Sequence, residues 1–109
     1  MVHLGLAMNK IRQPALAQIV KLFPNLFSLD ASFNDLCEMS SAMTWLTKLE
    51  SLKILFLEGN PLILTEKYRS IIIDRIPYLK LLDGVQVTVD PEVLTEFYEN
   101  KAKRQRRMN

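Results

Sequence analysis

The chain has 109 residues, of which 49% are hydrophobic and 24% charged, and its formal net charge at pH 7 is +2. This length suits one domain, and the apolar content is sufficient for a core. No apolar run approaches the roughly 20 residues of a membrane span, and residues 1–6 lack the basic and apolar regions of a secretory signal. We therefore expect neither a disordered, nor a membrane-embedded, nor a secreted protein.

Charge is unevenly distributed along the chain. Residues 101–109 contain five cations and no acid, whereas the other 100 residues contain nine cations and twelve acids. A mildly acidic domain therefore carries a basic tail. The cations of this tail are Lys101, Lys103, Arg104, Arg106 and Arg107.

Three interpretations of the basic tail remain open. It could be a nuclear-localisation signal, a patch for nucleic acid or an acidic protein surface, or a helix end whose cations complement the helix dipole. RNA recognition usually adds stacking aromatic residues, and residues 101–109 contain none. Nucleic acid is therefore the weaker expectation among the partners, although the tail leaves it open.

The apolar residues of the chain follow a repeat. The pattern Leu-x-x-Leu-x-Leu-x-x-Asn-x-Leu, with apolar substitutions, starts at positions 1, 26 and 52, and a degenerate copy starts at position 79. Its asparagines, Asn9, Asn34 and Asn60, are 25 and 26 residues apart. This spacing predicts repeats over 1–25, 26–51 and 52–78. A degenerate capping repeat over 79–89 and a C-terminal helix with the basic tail over 90–109 follow them.

Each repeat predicts a strand, a turn and a returning segment. Apolar residues with period 2 form a short strand with one face directed inward. We expect the asparagine after each strand to bond backbone groups of the neighbouring turn, which otherwise lack sheet hydrogen bonds. Losing such a buried partner is expected to cost about 1–3 kcal/mol.

The segments between the predicted strands have apolar residues at helical spacing. In the first segment they fall at i, i+3, i+4 and i+7 before Pro24, at Leu16, Ile19, Val20 and Phe23. A weaker stripe in the second segment consists of Met39, Met43 and Leu46, with Trp45 beside it. A longer third stripe consists of Tyr68, Ile71, Ile72 and Ile76. Each segment therefore predicts a helix that packs on the strands.

Capping residues indicate the ends of the last two helices. We expect Thr65 to cap the third helix and Pro77 to end it. Asp90 and Pro91 are typical of the N-cap and the first position of a final helix. The apolar residues of this helix are predicted to fold back over the last repeat: Val93, Leu94, Phe97 and Tyr98.

Stacked units of this kind predict a right-handed α/β solenoid, with short parallel strands on its concave face and helices on its convex face. The repeat resembles that of the leucine-rich-repeat superfamily, in the class with repeats of 22–27 residues. The segments Gly59-Asn60-Pro61-Leu62, Tyr68-Arg69 and Leu82-Asp83-Gly84 are similar to the C-terminal cap of spliceosomal, mRNA-export, axonemal and ciliary members. The resemblance covers residues 1 to about 89, and it implies a capped solenoid that binds protein partners on its concave sheet.

Pleat alternation predicts which residues face such a partner. Ile54, Phe56 and Leu81 would form an apolar patch with acids at its border, which is typical of a protein-binding hot spot. The predicted partner-binding residues are Asp30, Phe33, Ile54, Phe56, Glu58, Leu81 and Asp83. Two alternatives remain open: the cap helix covers the apolar residues, or the acids only solvate a small sheet.

Catalytic chemistry has little support in the sequence. His3 is the only histidine, and Cys37 is the only cysteine, which follows Leu36 where we expect a buried structural thiol. A single cysteine excludes an internal disulfide and suits a reducing, cytoplasmic compartment. No glycine-rich phosphate loop or metal-ligand cluster accompanies these residues. We therefore predict no enzyme, no catalytic residue, no metal and no cofactor.

The amino-terminal edge is expected to expose apolar residues. Met1 already holds the first consensus position of the repeat, so we expect the first strand to lie at an open sheet edge. Upstream repeats of a longer array, or another subunit, would then cover that edge.

These features predict a non-enzymatic protein-interaction module or scaffold that binds a protein on its concave face. The family resemblance favours a cytoplasmic ciliary, axonemal or cytoskeletal assembly. The alternative is a nuclear ribonucleoprotein adaptor that uses the basic tail.

Overall fold

The computed structural model of the chain describes residues 1–108, the last of them by its backbone alone. Short strands alternate with helices along the chain. The strands are β1 (Val2–Gly5), β2 (Leu26–Asp30), β3 (Ile54–Phe56), β4 (Leu81–Leu82) and β5 (Val85–Gln86). The helices are α1 (Gln13–Leu22), α2 (Met39–Leu46), α3 (Tyr68–Arg75) and α4 (Pro91–Met108), and a 3-10 turn spans Pro61–Leu64.

The five strands form one sheet in chain order. Strands β1 to β4 pair in parallel, because α1, α2 and α3 each return the chain to the same end of the sheet. The predicted α/β solenoid with parallel strands is therefore confirmed. The repeat boundaries themselves stay a prediction.

Strand β5 is an addition that the repeat pattern did not predict. It pairs with β4 in antiparallel register, with Leu82 opposite Val85. Asp83 and Gly84 connect the two strands with φ angles of 51° and 79°. Two successive positive φ angles are typical of a type I′ hairpin turn, for which Asp-Gly is a favoured sequence. Gly84 therefore turns the chain back, instead of continuing the inward apolar frame of the degenerate copy.

The core is built from the consensus leucines of the repeats. The consensus leucines of the second and third repeats are fully buried, namely Leu26, Leu29, Leu36, Leu52, Leu55, Leu57 and Leu62. In the first repeat, Leu4, Leu6 and Ile11 are only partly buried, and Met1 is exposed. Stacked repeats bury their apolar faces on both neighbours, and β1 lies at the edge of the sheet.

The asparagine of the second repeat joins that repeat to the first. Asn34 Oδ1 accepts hydrogen bonds from the backbone N–H groups of Asn9 and Ile11, at 2.8 and 2.9 Å. Asn34 Nδ2 donates to the carbonyl of Leu6 at 2.9 Å. The predicted bond between asparagine and the neighbouring turn is therefore confirmed at this position.

Asn60 repeats this arrangement one unit later, whereas Asn9 does not. Asn60 Oδ1 accepts from the N–H of Leu36 at 3.0 Å, and its Nδ2 donates to the carbonyl of Ala31 at 2.9 Å. Asn9 is exposed, and its side chain donates only to the carbonyl of Ala7 in its own turn, among the described residues. The prediction was wrong for Asn9, because β1 is the edge strand and the described chain places no turn beyond it.

Two helix ends differ from the predicted ones. Helix α1 ends at Leu22, so Phe23 follows it and is 39% exposed rather than part of the buried stripe. Helix α3 begins at Tyr68 and not near Thr65, which follows the 3-10 turn at Pro61–Leu64. Lys67, with a φ of 60°, separates that turn from α3. Pro61 starts the short turn, and the left-handed Lys67 interrupts the helical backbone, so α3 starts only at the next residue.

The start of helix α4 agrees with the predicted N-cap, but only two of its four predicted apolar residues pack on the core. Asp90 Oδ1 accepts from the N–H of Glu92 at 2.9 Å, as an N-cap residue does. Leu94 and Phe97 pack against the core. Val93 and Tyr98 are instead 51% and 46% exposed, because they lie at the two margins of the helix face that Leu94 and Phe97 occupy. The cations of the basic tail continue this helix.

Candidate protein-interaction surface

The parallel register places the predicted apolar residues side by side on the sheet. Ile54 in β3 lies opposite Leu81 in β4, and Asp30 in β2 lies opposite Phe56 in β3. Ile54, Phe56 and Leu81 are each half-buried, whereas the alternating residue Leu55 is fully buried in the core. The structure therefore brings the three apolar side chains together on the concave face of the sheet, opposite the core.

Two aromatic rings of this surface lie against glycines of the following repeat. The Phe33 ring lies over Gly59, with its Cε1 atom 2.7 Å from the position that a Cβ atom would take on that glycine. The Phe56 ring lies 3.9 Å from the corresponding position on Gly84. Any larger residue at Gly59 would displace Phe33. Sequence reasoning did not predict either contact, although Gly59 stands where the earlier repeats have Met8 and Phe33.

The backbone after β1 and after β2 presents an apolar side chain at the carboxyl edge of the sheet. Met8 and Phe33 occupy equivalent repeat positions, with φ angles of 62° and 55°, and Gly59 follows with 77°. Left-handed backbone is uncommon for residues with bulky side chains. Met8 and Phe33 are nevertheless 79% and 57% exposed, so the repeat holds them in solvent.

The three predicted acids differ in how freely they could meet a partner. Glu58 is exposed. Asp30 Oδ1 accepts hydrogen bonds from Ser32, at 2.6 Å from its hydroxyl and 3.1 Å from its backbone N–H. Asp83 uses both of its carboxylate oxygens inside the fold. We expected a free carboxylate at Asp83, and the structure instead shows one that connects the sheet to α3.

The contacts of Asp83 hold the end of the sheet in place. Its Oδ1 accepts from the N–H groups of Leu57 and Glu58, at 2.6 and 3.0 Å, and its Oδ2 accepts from the Tyr68 hydroxyl at 2.7 Å. Burial, together with this carboxylate, raises the pKa of Tyr68 above its ordinary value. The guanidinium of Arg69 donates to the carbonyls of the β4–β5 hairpin. Tyr68 and Arg69 were thus singled out by resemblance, but their partners were not predicted.

Helix α4 lies away from this surface. Phe97 packs on Tyr78 with ring centroids 5.9 Å apart, and Lys101 Nζ lies 2.6 Å from a Glu50 carboxylate oxygen. Tyr78 and Glu50 precede β4 and β3, at the amino edge of the sheet. These contacts argue against the alternative that the C-terminal helix covers the apolar patch.

The remaining cations of the basic tail are exposed. Lys101 has an ion pair with Glu50. Within residues 1–108, no acid lies within ion-pair distance of the other four, which are Lys103, Arg104, Arg106 and Arg107.

The single histidine and the single cysteine have different neighbours in the described part of the chain. The His3 ring contacts Phe27, with ring centroids 5.6 Å apart. Cys37 is exposed, so the expectation of a buried thiol was wrong. Leu36 turns into the core, and the chain then runs outward, where Cys37 Sγ lies 3.3 Å from the carbonyl of Asp35. Across residues 1–108, no group of three His, Cys, Asp or Glu side chains could hold a metal ion. None of the helices described is long and apolar enough to cross a membrane.

Comparison with known sequences finds relatives that are named for their leucine-rich repeats. No protein-family model matches the chain. Leucine-rich repeat-containing protein 43 of Homo sapiens is 43% identical over 88 residues, which is 79% of this chain but 13% of that protein. The mouse protein of the same name is 38% identical over 97 residues, or 87% of this chain and 14% of its own length. The chain thus spans about one seventh of the length of these two curated relatives.

Solved structures show the same architecture. The leucine-rich-repeat domain of Mex67 from Chaetomium thermophilum is 30% identical, with a TM-score of 0.72 over 86% of this chain and 62% of that one. A chain of the Drosophila melanogaster SNF/U2A′ complex is 26% identical, with a TM-score of 0.58 over 74% of this chain and 45% of its own. With its asparagine-linked parallel repeats, this chain belongs to the leucine-rich-repeat superfamily.

Proposed function

We propose that the chain is a protein-interaction module whose concave sheet face binds a protein partner. The observation that carries this proposal is the cluster of Ile54, Phe56 and Leu81, which are side by side and partly accessible. Phe33 and Glu58 extend the surface at the carboxyl edge. Because the sheet and the glycines beneath the rings already fix these side chains, little conformational entropy is lost on binding.

Asp30 and Asp83 have different parts in this proposal. Asp30 lies next to Phe56 and contributes negative charge at the border of the patch. Asp83 contributes indirectly, since it holds the hairpin that carries Gly84 against Phe56. The acids therefore favour a partner with cationic groups around an apolar centre.

The structural neighbours support a role in protein binding. One structure of Mex67 also contains Mtr2, and the Drosophila structure is a complex of U2A′ with SNF. Both of those proteins thus occur with protein partners. Within this class, the resemblance of the cap favours a cytoplasmic ciliary or cytoskeletal scaffold, and a nuclear ribonucleoprotein adaptor is the alternative.

The amino-terminal edge is proposed as a second contact, for a further repeat or subunit. Asn9 Nδ2 donates to the carbonyl of Ala7, much as Asn34 Nδ2 donates to the carbonyl of Ser32 in its own turn. In its own turn, the Asn9 side chain thus makes the same kind of hydrogen bond as that of Asn34, which also accepts from the preceding repeat. A neighbouring repeat could donate to Asn9 Oδ1 in the same way and cover Met1 and its exposed neighbours.

The test compares the concave face with an equally apolar surface elsewhere. Affinity capture from ciliated-cell and nuclear extracts would use the wild-type chain, the double variant Ile54→Ala with Phe56→Ala, and a control with Leu22→Ala and Leu64→Ala. Both control residues are more than two-thirds exposed, at 71% and 84%, and lie outside the sheet. We expect the captured proteins, quantified by mass spectrometry, to be lost only with the concave-face variant.

A variant of the basic tail tests the alternative that the partner binds to this tail. Binding that survives the concave-face changes, but is lost when Lys103 and Arg104 become Gln, would contradict concave-face binding. A steep decrease with salt in that case would indicate a polyanionic partner.

A further inference from the structure

The cations at the end of α4 share one side of the helix. At about 100° per residue, Lys103, Arg106 and Arg107 lie within an arc of about 100°. Leu94, Phe97 and Lys101 face the solenoid from another side of the same helix, and each is partly buried. The three cations are exposed, so they form a cationic surface directed away from the molecule.

The carboxyl edge of the concave face has the complementary chemistry. Glu58 is exposed, and none of the residues that the structure describes forms an ion pair with it. The Phe33 ring lies over Gly59, the next residue, and is 57% exposed. A guanidinium group binds a carboxylate through its planar fork and stacks on an aromatic face. Glu58 and Phe33 together therefore suit an arginine side chain.

Geometry prevents α4 from reaching this edge in its own molecule. Lys101 is held at Glu50, before β3, whereas Glu58 follows β3. The chain from Leu52 to Glu58 runs along β3 and separates the amino edge of the sheet from its carboxyl edge by roughly 20 Å. Arg107 lies six residues beyond Lys101, which is about 9 Å along a helix. A contact between these two surfaces would therefore join two molecules.

We propose that the cationic surface of α4 in one copy binds the Glu58–Phe33 edge of a second copy. This inference rests on the proposed use of the concave face, and charge complementarity selects the second copy as its occupant. The two surfaces in contact are different, so in a bound pair one copy keeps a free edge and the other keeps a free helix end. Such heterologous contacts form open chains of molecules rather than closed dimers.

The experiment measures molar mass by sedimentation equilibrium with the 109-residue chain. A contact of a few exposed ion pairs is weak, so concentrations should extend to about 1 mM. We expect the average mass of the wild-type chain to rise beyond that of a dimer at about 0.02 M salt and to return to the monomer at about 0.5 M salt. A wild-type chain that stays monomeric at about 1 mM and low salt would overturn the inference.

Two charge-reversed variants test the surfaces separately. The edge variant is Glu58→Lys, and the helix variant combines Arg106→Glu with Arg107→Glu; each alone should be monomeric. In an equimolar mixture both contacts again pair opposite charges, since the reversed edge of one variant meets the reversed helix end of the other, so the average mass should rise again at low salt. The control, Lys21→Glu with Lys48→Glu, makes the same charge change beside Trp45 on the helical side and should associate like wild type. Association of either single variant, or a monomeric mixture, would contradict the proposal.

Failure of this inference is distinguishable from failure of the proposed function. A chain that stays monomeric but still captures proteins through Ile54 and Phe56 loses only the self-association. A chain that self-associates through Glu58 but captures nothing through the apolar patch loses only the proposed role in binding other proteins.

Discussion

The Tyr68 hydroxyl donates a hydrogen bond of 2.7 Å to Asp83, whose second oxygen accepts from two backbone N–H groups of the preceding repeat. One repeat earlier, the equivalent N–H of Ala31 bonds the carbonyl of Phe56 in the next strand. At Leu57 that carbonyl is replaced by the Asp83 side chain. The carboxylate therefore ends the parallel sheet without leaving its last amides unpaired.

Removing this carboxylate should destabilise the whole chain. Asp83→Ala would leave the amides of Leu57 and Glu58 and the Tyr68 hydroxyl without partners, at an expected cost of about 2–3 kcal/mol in the free energy of unfolding. Urea unfolding measures the change. The control Asp74→Ala, at an exposed carboxylate of α3, should cost less than about 0.5 kcal/mol. Equal effects of the two substitutions would show that Asp83 does not hold the cap.

The asparagines of the repeats provide a second matched comparison. Asn34 bonds backbone groups of two repeats, whereas the side chain of Asn9 reaches only its own turn. Asn34→Ala should therefore lower the free energy of unfolding by about 2–3 kcal/mol, and Asn9→Ala by about 0.5 kcal/mol or less. Denaturant unfolding of the two variants measures the difference. A large effect at Asn9 would mean that its edge is already covered, for example by association.

A glycine beneath an aromatic ring should determine the position of that ring. Gly59→Ala introduces a Cβ where the Phe33 ring lies and strains a φ of 77°, so we expect a loss of about 1–2 kcal/mol. Gly5→Ala is the control, because a Cβ there meets no atom within 4 Å.

A double-mutant cycle separates the two causes of that loss. Phe33→Ala in the Gly59→Ala background should recover the part due to the ring and leave the part due to the backbone. Full additivity of the two substitutions would contradict the contact between Phe33 and Gly59.

The stability of the chain should fall at high pH because of Tyr78. Its hydroxyl donates to the Leu49 carbonyl at 3.1 Å, and burial, with Glu50 nearby, raises the pKa of Tyr78 to about 12 from 10.0. The neutral form is favoured in the fold, so its stabilising contribution is complete below pH 10 and is lost as the pH rises towards 12.

Comparison with a phenylalanine variant measures this contribution. Between pH 8 and pH 11.5, the free energy of unfolding of the wild type should fall by about 2 kcal/mol more than that of Tyr78→Phe. Urea titrations at each pH provide the values. Parallel decreases in the two proteins would assign the loss to other groups.

The consensus residues made most of the architecture predictable. Leu26 and Leu52 begin repeats of the same pattern, so the same local signals specify the same strand and turn, and each unit can bury its apolar side only on a neighbour. The concave placement of Ile54 and Phe56 followed from pleat alternation alone. The end of the fold was less predictable, since Asp83 meets Tyr68 and Leu57 across gaps of 15 and 26 residues.

The wrong predictions for single residues also arose because the path of the chain around them was unknown. The position of Cys37 beside Leu36 suggested burial, but the direction of the chain after Leu36 exposes the thiol. Thr65 had the chemistry of an N-cap, yet the turn at Pro61–Leu64 and the left-handed Lys67 moved the helix start to Tyr68.

The sequence by itself determined that 49% apolar residues in a regular register form a solenoid, and that a net charge of +2 combines an acidic body with a basic tail. These properties depend on local periodicity, which repeats in every unit. Only the tertiary structure decided that Asp83 is internally paired, that Phe33 rests on Gly59, and where the basic helix points. Those properties depend on which distant residues the stacking brings into contact, and a local pattern contains no such distances.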